Sequence, residues 1–157
     1  MTTTSPVTIR SVASDDFEQW LLLWQGCNAT RDGPRPITAE VTETTWWRIL
    51  DDGAPVHCRV AEIRGQLVGT AHFIFHHSTK TISPICYLQD LYVSETARRQ
   101  GVGRALVLAI VSHARSAHSA RVYWQTHETN EFAQRLYAGI AERTGFIVYR
   151  KSLQGGT

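Results

Sequence analysis

The residues running from Tyr87-Leu88-Gln89-Asp90-Leu91-Tyr92-Val93 through Arg98-Arg99-Gln100-Gly101-Val102-Gly103-Arg104 into Ala105-Leu106-Val107-Leu108 constrain the fold most. Apolar and aromatic residues at both ends of the first heptad predict a strand. Val102, Leu106, Ala109, Ile110 and His113 recur at the spacing of one helical face. The polar bend Ser94-Glu95-Thr96-Ala97 lies between them, followed by a glycine-bearing loop. Glycines 101 and 103 remove side chains where the helix starts, so its unpaired backbone N–H groups can close on an anion such as a phosphate or pyrophosphate.

Two common phosphate loops do not fit. A dinucleotide-binding turn needs G-x-G-x-x-G, but Leu106 stands at the third glycine and no acidic residue ends a second strand at the required distance. The pattern G-x-x-x-x-G-K-[ST] is absent.

The run Arg98-Arg99-Gln100-Gly101-Val102-Gly103 reads R-x-x-G-x-G. A second run follows the strand Arg121-Val122-Tyr123-Trp124-Gln125. It reads Asn130-Glu131-Phe132-Ala133-Gln134-Arg135-Leu136-Tyr137 and leads to Gly145-Phe146-Ile147-Val148-Tyr149. Together they resemble the acyl-CoA loop and the later N-x-x-A-x-x-L/F-Y…G-F motif of the GCN5-related N-acetyltransferase (GNAT) superfamily. The resemblance spans residues 60 to 153 by pattern and 1 to 59 by element order. Seven residues separate Tyr137 from Gly145, more than the family's usual spacing, so the helix is expected to run about one turn longer. That longer form is similar to a bacterial branch related to histone and polyamine acetyltransferases.

The order of elements predicts an α/β fold with a mixed sheet and helices on both faces, β-αα-βββ-α-β-α-β, as the superfamily has. Val7 to Val12 alternates as an opening strand. Ser14-Asp15-Asp16 offers a cap to a helix bearing Phe17, Trp20, Leu21 and Trp24, which Gly26 and the polar run Asn28 to Pro36 are expected to break. Thr38 is set to cap a second helix carrying Val41, Thr45, Trp46 and Ile49. After the turn at 51–55, Val56 to Ile63 and Leu67 to Phe75 form a hairpin about Arg64-Gly65, and His76 to Lys80 leads to the central strand. At 157 residues, with 43% apolar and 19% charged, the chain is expected to be one domain, residues 1–157.

A net charge of +2 with scattered basic residues gives no reason to expect nucleic acid or an anionic membrane as partner. No run approaches the ~20 apolar residues of a membrane span, and the first residues lack the pattern of a signal peptide. Cys27, Cys58 and Cys86 lack paired or metal-binding spacing and read as buried thiols in a reducing cytoplasm. His57, His72, His76, His77, His113, His118 and His127 lack ligand spacing, so no metal is expected.

The resemblance implies an acetyl-CoA-dependent N-acetyltransferase that moves an acetyl group directly to a primary amine of a small molecule or an exposed amino group. A non-catalytic acyl-CoA sensor on the same fold is the alternative, and a homodimer is an expectation from similar proteins. Coenzyme A is expected to meet Leu91, Tyr92 and Val93 along the strand, Arg98, Arg99, Gln100, Gly101, Val102, Gly103 and Arg104 at the loop, and Asn130, Ala133 and Tyr137 at the later motif. Arg98 and Arg104 either supply charge or are simply solvated. Polyamine-type relatives carry a glutamate base where this chain has Gln89, an amide that cannot take a proton. Asp90 is the nearest carboxylate, either the base or a structural group, with Glu128 and Glu131 in reserve. Tyr137 is the expected acid, and the oxyanion donor a central-strand N–H such as that of Leu91. Trp20, Trp24, Trp46 and Trp47 read mostly as core, with Trp24 and Gln89 as candidates for the acceptor site.

Overall fold

The computed structural model describes residues 5–29 and 36–153. Its elements are β1 (Thr8–Ser11), a 3₁₀ turn (Ser14–Asp16), α1 (Phe17–Ala29), α2 (Ala39–Leu50), β2 (Val56–Ile63), β3 (Gln66–His76) and β4 (Ile85–Val93). A second 3₁₀ turn (Glu95–Ala97), α3 (Val102–Ser116), β5 (Val122–Tyr123) and α4 (Glu131–Ala138) follow. Contacts divide the chain into two units, Met1–Gln125 and Thr126–Thr157.

The first unit holds a sheet of order β1-β2-β3-β4-β5, with antiparallel neighbours as far as β4 and a parallel β4–β5 pair joined through α3. Arg64 and Gly65, with φ of 51° and 76°, turn β2 into β3 as the hairpin pattern requires. On one face α1 and α2 bury Trp20, Leu23, Trp24 and Trp46 against Cys58, Val60 and Leu67. The Trp20 ring stacks on Trp24 at 5.4 Å and meets Trp46 at 4.9 Å. Helix α3 buries Val102, Leu106, Val107, Ile110 and Ala114. All three cysteines are buried.

Arg10 ties the entry of the chain together. Its guanidinium donates to both Asp16 oxygens, at 2.7 and 2.9 Å, and to Glu62, bridging β1, the first 3₁₀ turn and β2. The Arg10 bonds hold the Asp16 carboxyl below the usual carboxylate range. The cap expected from Ser14-Asp15-Asp16 is made by Asp16, whose carboxylate accepts from Ala13 N–H at 2.7 Å. Thr38 caps α2 as expected, accepting from Val41 N–H at 3.2 Å.

Four expectations need correction. Gly26 does not break α1, which continues to Ala29; a Cβ there would lie 2.5 Å from Tyr92 Oη, so this glycine admits the Tyr92 ring against the helix. Of the polar run after it, residues 30–35 lie outside the described residues. Trp47 is 67% exposed, because one residue after Trp46 turns it away from the face that meets the core. Helix α4 gains no extra turn: it ends at Ala138, before Gly139, and the N–H groups of Ile140 and Ala141 both return to Tyr137 O. Residues 145–149, expected as a last strand, join no ladder of the described sheet. Their apolar pattern favours a strand only against a partner, and Phe146, Ile147, Val148 and Tyr149 are exposed.

At Gly26 two effects compete. Alanine improves helix propensity by about 1 kcal/mol, whereas forcing a methyl into the Tyr92 ring costs about 1–3 kcal/mol. We expect Gly26→Ala to lower the urea midpoint and Tyr92→Leu to cancel part of the loss in the double variant. A Gly26→Ala protein more stable than the parent would show that the contact does not set this glycine.

Candidate functional site

The edge of β4 is where the site is built. Ser94 N–H donates to Val68 O at 2.8 Å, which makes that facing pair the hydrogen-bonded kind. Antiparallel ladders alternate, so Tyr92↔Thr70 is the next such pair, and Leu91 and Val93 aim their backbone groups away from β3. On that side β5 pairs only through Cys86↔Val122 and Tyr87↔Tyr123. Among the described residues the β4–β5 ladder ends at the Tyr87↔Tyr123 pair, and Leu91 and Val93 lie beyond it. Arg98 Nε donates to Val93 O at 3.1 Å, and its guanidinium lies 5.8 Å from the Tyr92 ring centre.

The loop after β4 ends at Gly101, the N-cap of α3, whose φ of 77° is a left-handed conformation that favours glycine. No side chain caps α3 and no acid sits in its first turn, so the N–H groups of Val102, Gly103 and Arg104 keep their positive potential for an anion. Arg99 also has positive φ, 63°. Gln100 donates to Thr96 O at 3.3 Å, closing the loop on the preceding turn. Arg104 is exposed beside the helix start.

Sequence reasoning named Asp90 but missed what holds it. Asp90 faces His72 in the β3–β4 register, and His72 Nδ1 lies 3.2 Å from its Oδ2. Trp20 Nε1–H donates to His72 Nε2 at 2.9 Å. His72 and Asp90 are 2% and 7% exposed, with the Trp24 ring edge-on to the imidazole at 5.4 Å. Burial opposes an imidazolium, whereas Cys58 and Asp90 favour one and push the His72 pKa up to about 9. The Trp20 donor works against that charge, because it needs a lone pair on Nε2; while this bond is made the ring is neutral, with its proton on Nδ1 towards Asp90. His72 is 52 residues from Trp20 and 18 from Asp90, and no local pattern signals such a chain.

Gln89 is the extra residue of a β-bulge, since the register runs His72↔Asp90 and then Phe73↔Leu88. Trp24 is buried, its Nε1–H donating to Thr42 Oγ1 at 2.9 Å, which ties α1 to α2. In the second unit, Asn130 Oδ1 accepts from Ala133 N–H at 3.1 Å, so these two motif residues form the cap of α4. Tyr137 lies on that helix, partly buried, and burial raises its phenol pKa, keeping the hydroxyl protonated at neutral pH. Among the described residues no group of three or more His, Cys, Asp or Glu is placed to hold a metal ion.

Comparison with known proteins supplies the context. The Acetyltransferase (GNAT) family profile matches residues 15–140. The chain is 30% identical over 148 residues to the D-amino-acid N-acetyltransferase HPA3 of Saccharomyces cerevisiae, covering 93% of this chain and 91% of the yeast protein. Its fold is similar to that of the aminoglycoside N-acetyltransferase AAC(6')-Iy in complex with CoA, with TM-score 0.80, 16% identity and coverage of 98% and 99% of the two chains. A ribosomal-protein-alanine N-acetyltransferase from Brucella melitensis biovar Abortus 2308 gives TM-score 0.80 at 20% identity, with 96% and 99% covered.

If His72 holds the buried chain together, His72→Leu takes one bond each from Trp20 and Asp90 and should cost roughly 3–5 kcal/mol in urea unfolding. Trp20→Phe keeps most of the packing and removes one donor, so a smaller loss is expected. A His72→Leu loss below ~1 kcal/mol would mean that the chain carries little stability.

Proposed function

The chain belongs to the GNAT acetyltransferase family and is an acetyl-CoA-dependent N-acetyltransferase; on that premise we propose how its residues divide the work and which amine they serve. The observation that carries the proposal is the end of β4, where Leu91 and Val93 aim backbone groups away from β3 between the buried Asp90 and the α3 N-terminus. Residues 1–157 act as a single catalytic domain, a reading supported by a family match that runs across both units.

Coenzyme A supplies the acetyl group as an activated thioester. Leu91 and Val93 offer backbone groups to the pantetheine arm, with Tyr92 between them. The loop Arg98, Arg99, Gln100, Gly101, Val102, Gly103 and Arg104 receives the pyrophosphate, the helix amides doing most of the binding. Arg98, whose Nε already serves Val93 O, shapes the loop as well as adding charge. Asn130 and Ala133 set the start of α4 and so the place of Tyr137 on it.

The acceptor is a small-molecule primary amine or an exposed amino group, and the yeast relative's name favours an amino-acid amine. An unperturbed alkylammonium has a pKa of ~10.4, so a base must take its proton before attack. Asp90 takes it, with the His72 Nδ1–H fixing the carboxylate. Tyr137 Oη holds the proton that the departing sulfur takes, and the Leu91 N–H stabilises developing charge on the thioester oxygen. Gln89 and Trp24 border the acceptor, Gln89 through the bulge and Trp24 through its hold on α2. Three buried cysteines support a cytoplasmic setting, and the exposed apolar row Phe146–Tyr149 supports a homodimer. Among the described residues no helix is long and apolar enough to cross a membrane.

Tyr137→Phe keeps the ring and deletes the hydroxyl. We expect kcat to fall by roughly 10²-fold with melting temperature and acetyl-CoA affinity nearly unchanged; full activity would remove Tyr137 from catalysis. Asp90→Asn should lower kcat/KM and flatten its rise with pH while acetyl-CoA still binds. An unaltered pH profile in the folded variant would transfer the role of base to another group.

A further inference from the structure

The β4–β5 ladder ends in an aromatic pair. The last paired residues, Tyr87 and Tyr123, stack at 4.9 Å with their planes 25° apart. His76 Nε2 and Tyr123 Oη lie 2.7 Å apart, and the two rings meet edge-on at 5.8 Å. The Arg121 guanidinium sits 6.0 Å from the Tyr123 ring centre. Both tyrosines are half-buried and His76 is exposed, so the platform is fixed yet reachable by solvent.

The bulge decides which face this platform shares. In a regular strand Tyr87 and Asp90, three residues apart, would point to opposite sides of the sheet. With Gln89 as the extra residue, Tyr87 faces Ile74 and Asp90 faces His72, and Ile74 and His72 lie on the same side of β3. Asp90, Tyr87 and His76 therefore belong to one face. Along β4 the platform lies about 10 Å beyond Asp90, on the side away from the anion-binding loop. An amine that meets Asp90 and extends along β4 away from that loop runs towards the Tyr87–Tyr123 pair.

We propose that Tyr87 and Tyr123, braced by His76, are the acceptor-specificity surface, and that they select a monoamine with an aromatic or other flat apolar group close to the amine. This rests on the placement of acetyl transfer beside Asp90 argued above. Flat groups gain by stacking on a fixed ring, and Arg121 and His76, which both touch Tyr123, are basic. A polycation such as spermidine would bring its further ammonium groups towards Arg121, an unfavourable pairing at close range.

The test uses the full-length enzyme with phenethylamine, ethylamine and spermidine, followed by thiol release from acetyl-CoA and by calorimetric binding of each amine to the CoA-loaded protein. Phenethylamine is expected to bind tightest and to show the highest kcat/KM. Tyr123→Leu should reduce the phenethylamine-to-ethylamine ratio of kcat/KM by about tenfold, mainly through KM, whereas Tyr123→Phe should keep it. Spermidine as the preferred ligand, or a ratio unchanged in Tyr123→Leu and in Tyr87→Leu, overturns the proposal. CoA binding is read separately in the same calorimeter: its failure would strike the cofactor reading, and its success with the wrong amine preference strikes only this one.

Discussion

The hydrogen-bond chain from Trp20 Nε1 through His72 to Asp90 is the interaction on which the first unit's geometry depends. It runs through the apolar layer under α1, where a polar group that loses its partner costs about 1–3 kcal/mol. Three elements must therefore keep their relative places: α1 supplies the indole, β3 the imidazole and β4 the carboxylate. The indole also fixes the tautomer, and the tautomer points a proton at Asp90. A stacked Trp24 and a tilted Trp46 surround the donor, so the apolar packing and the polar chain set the same position of α1.

Two irregularities of β4 convert that fixed frame into a site. The bulge at Gln89 gives Asp90 and Tyr87 a common face, and the β5 ladder ends before Leu91 and Val93, whose backbone groups aim away from β3, with Arg98 on the Val93 carbonyl. An open strand edge is ordinarily a liability, because it invites pairing with any extended chain. Here the stretch past the ladder is short and runs into a helix N-terminus that attracts anions. The ligand best matched to both is an extended arm ending in phosphates, which describes coenzyme A.

What the sequence disclosed follows the range of the interactions. The strand, the R-x-x-G-x-G loop and α3 are local patterns, and so is the capping of α2 by Thr38; all four were legible. The β2–β3 hairpin was equally plain from Arg64-Gly65. Gly26 misled because its local meaning is a break, whereas its tertiary meaning is room for Tyr92, 66 residues away. His72 showed only a lack of ligand spacing for the same reason, since its partners come from α1 and β4. The expected strand at 145–149 shows the limit of pattern reading: apolar composition states a need for burial and does not say what meets it.

Helix α3 shows how function bends a local rule. A helix start is normally stabilised by a capping side chain or a first-turn acid, each worth about 0.3–2 kcal/mol, and α3 has neither. On the proposed placement of the pyrophosphate, an acid there would neutralise the potential that attracts it, and a capping oxygen would occupy amides the ligand needs. The omission is offset elsewhere along the same helix. Val102, Leu106, Val107, Ile110 and Ala114 are buried, and His113 and Arg115 stand at the negative end of its dipole. Because packing holds the helix, its first turn remains open to a ligand; stability and binding are separated along one element, with the anion site placed where the helix depends least on its own cap.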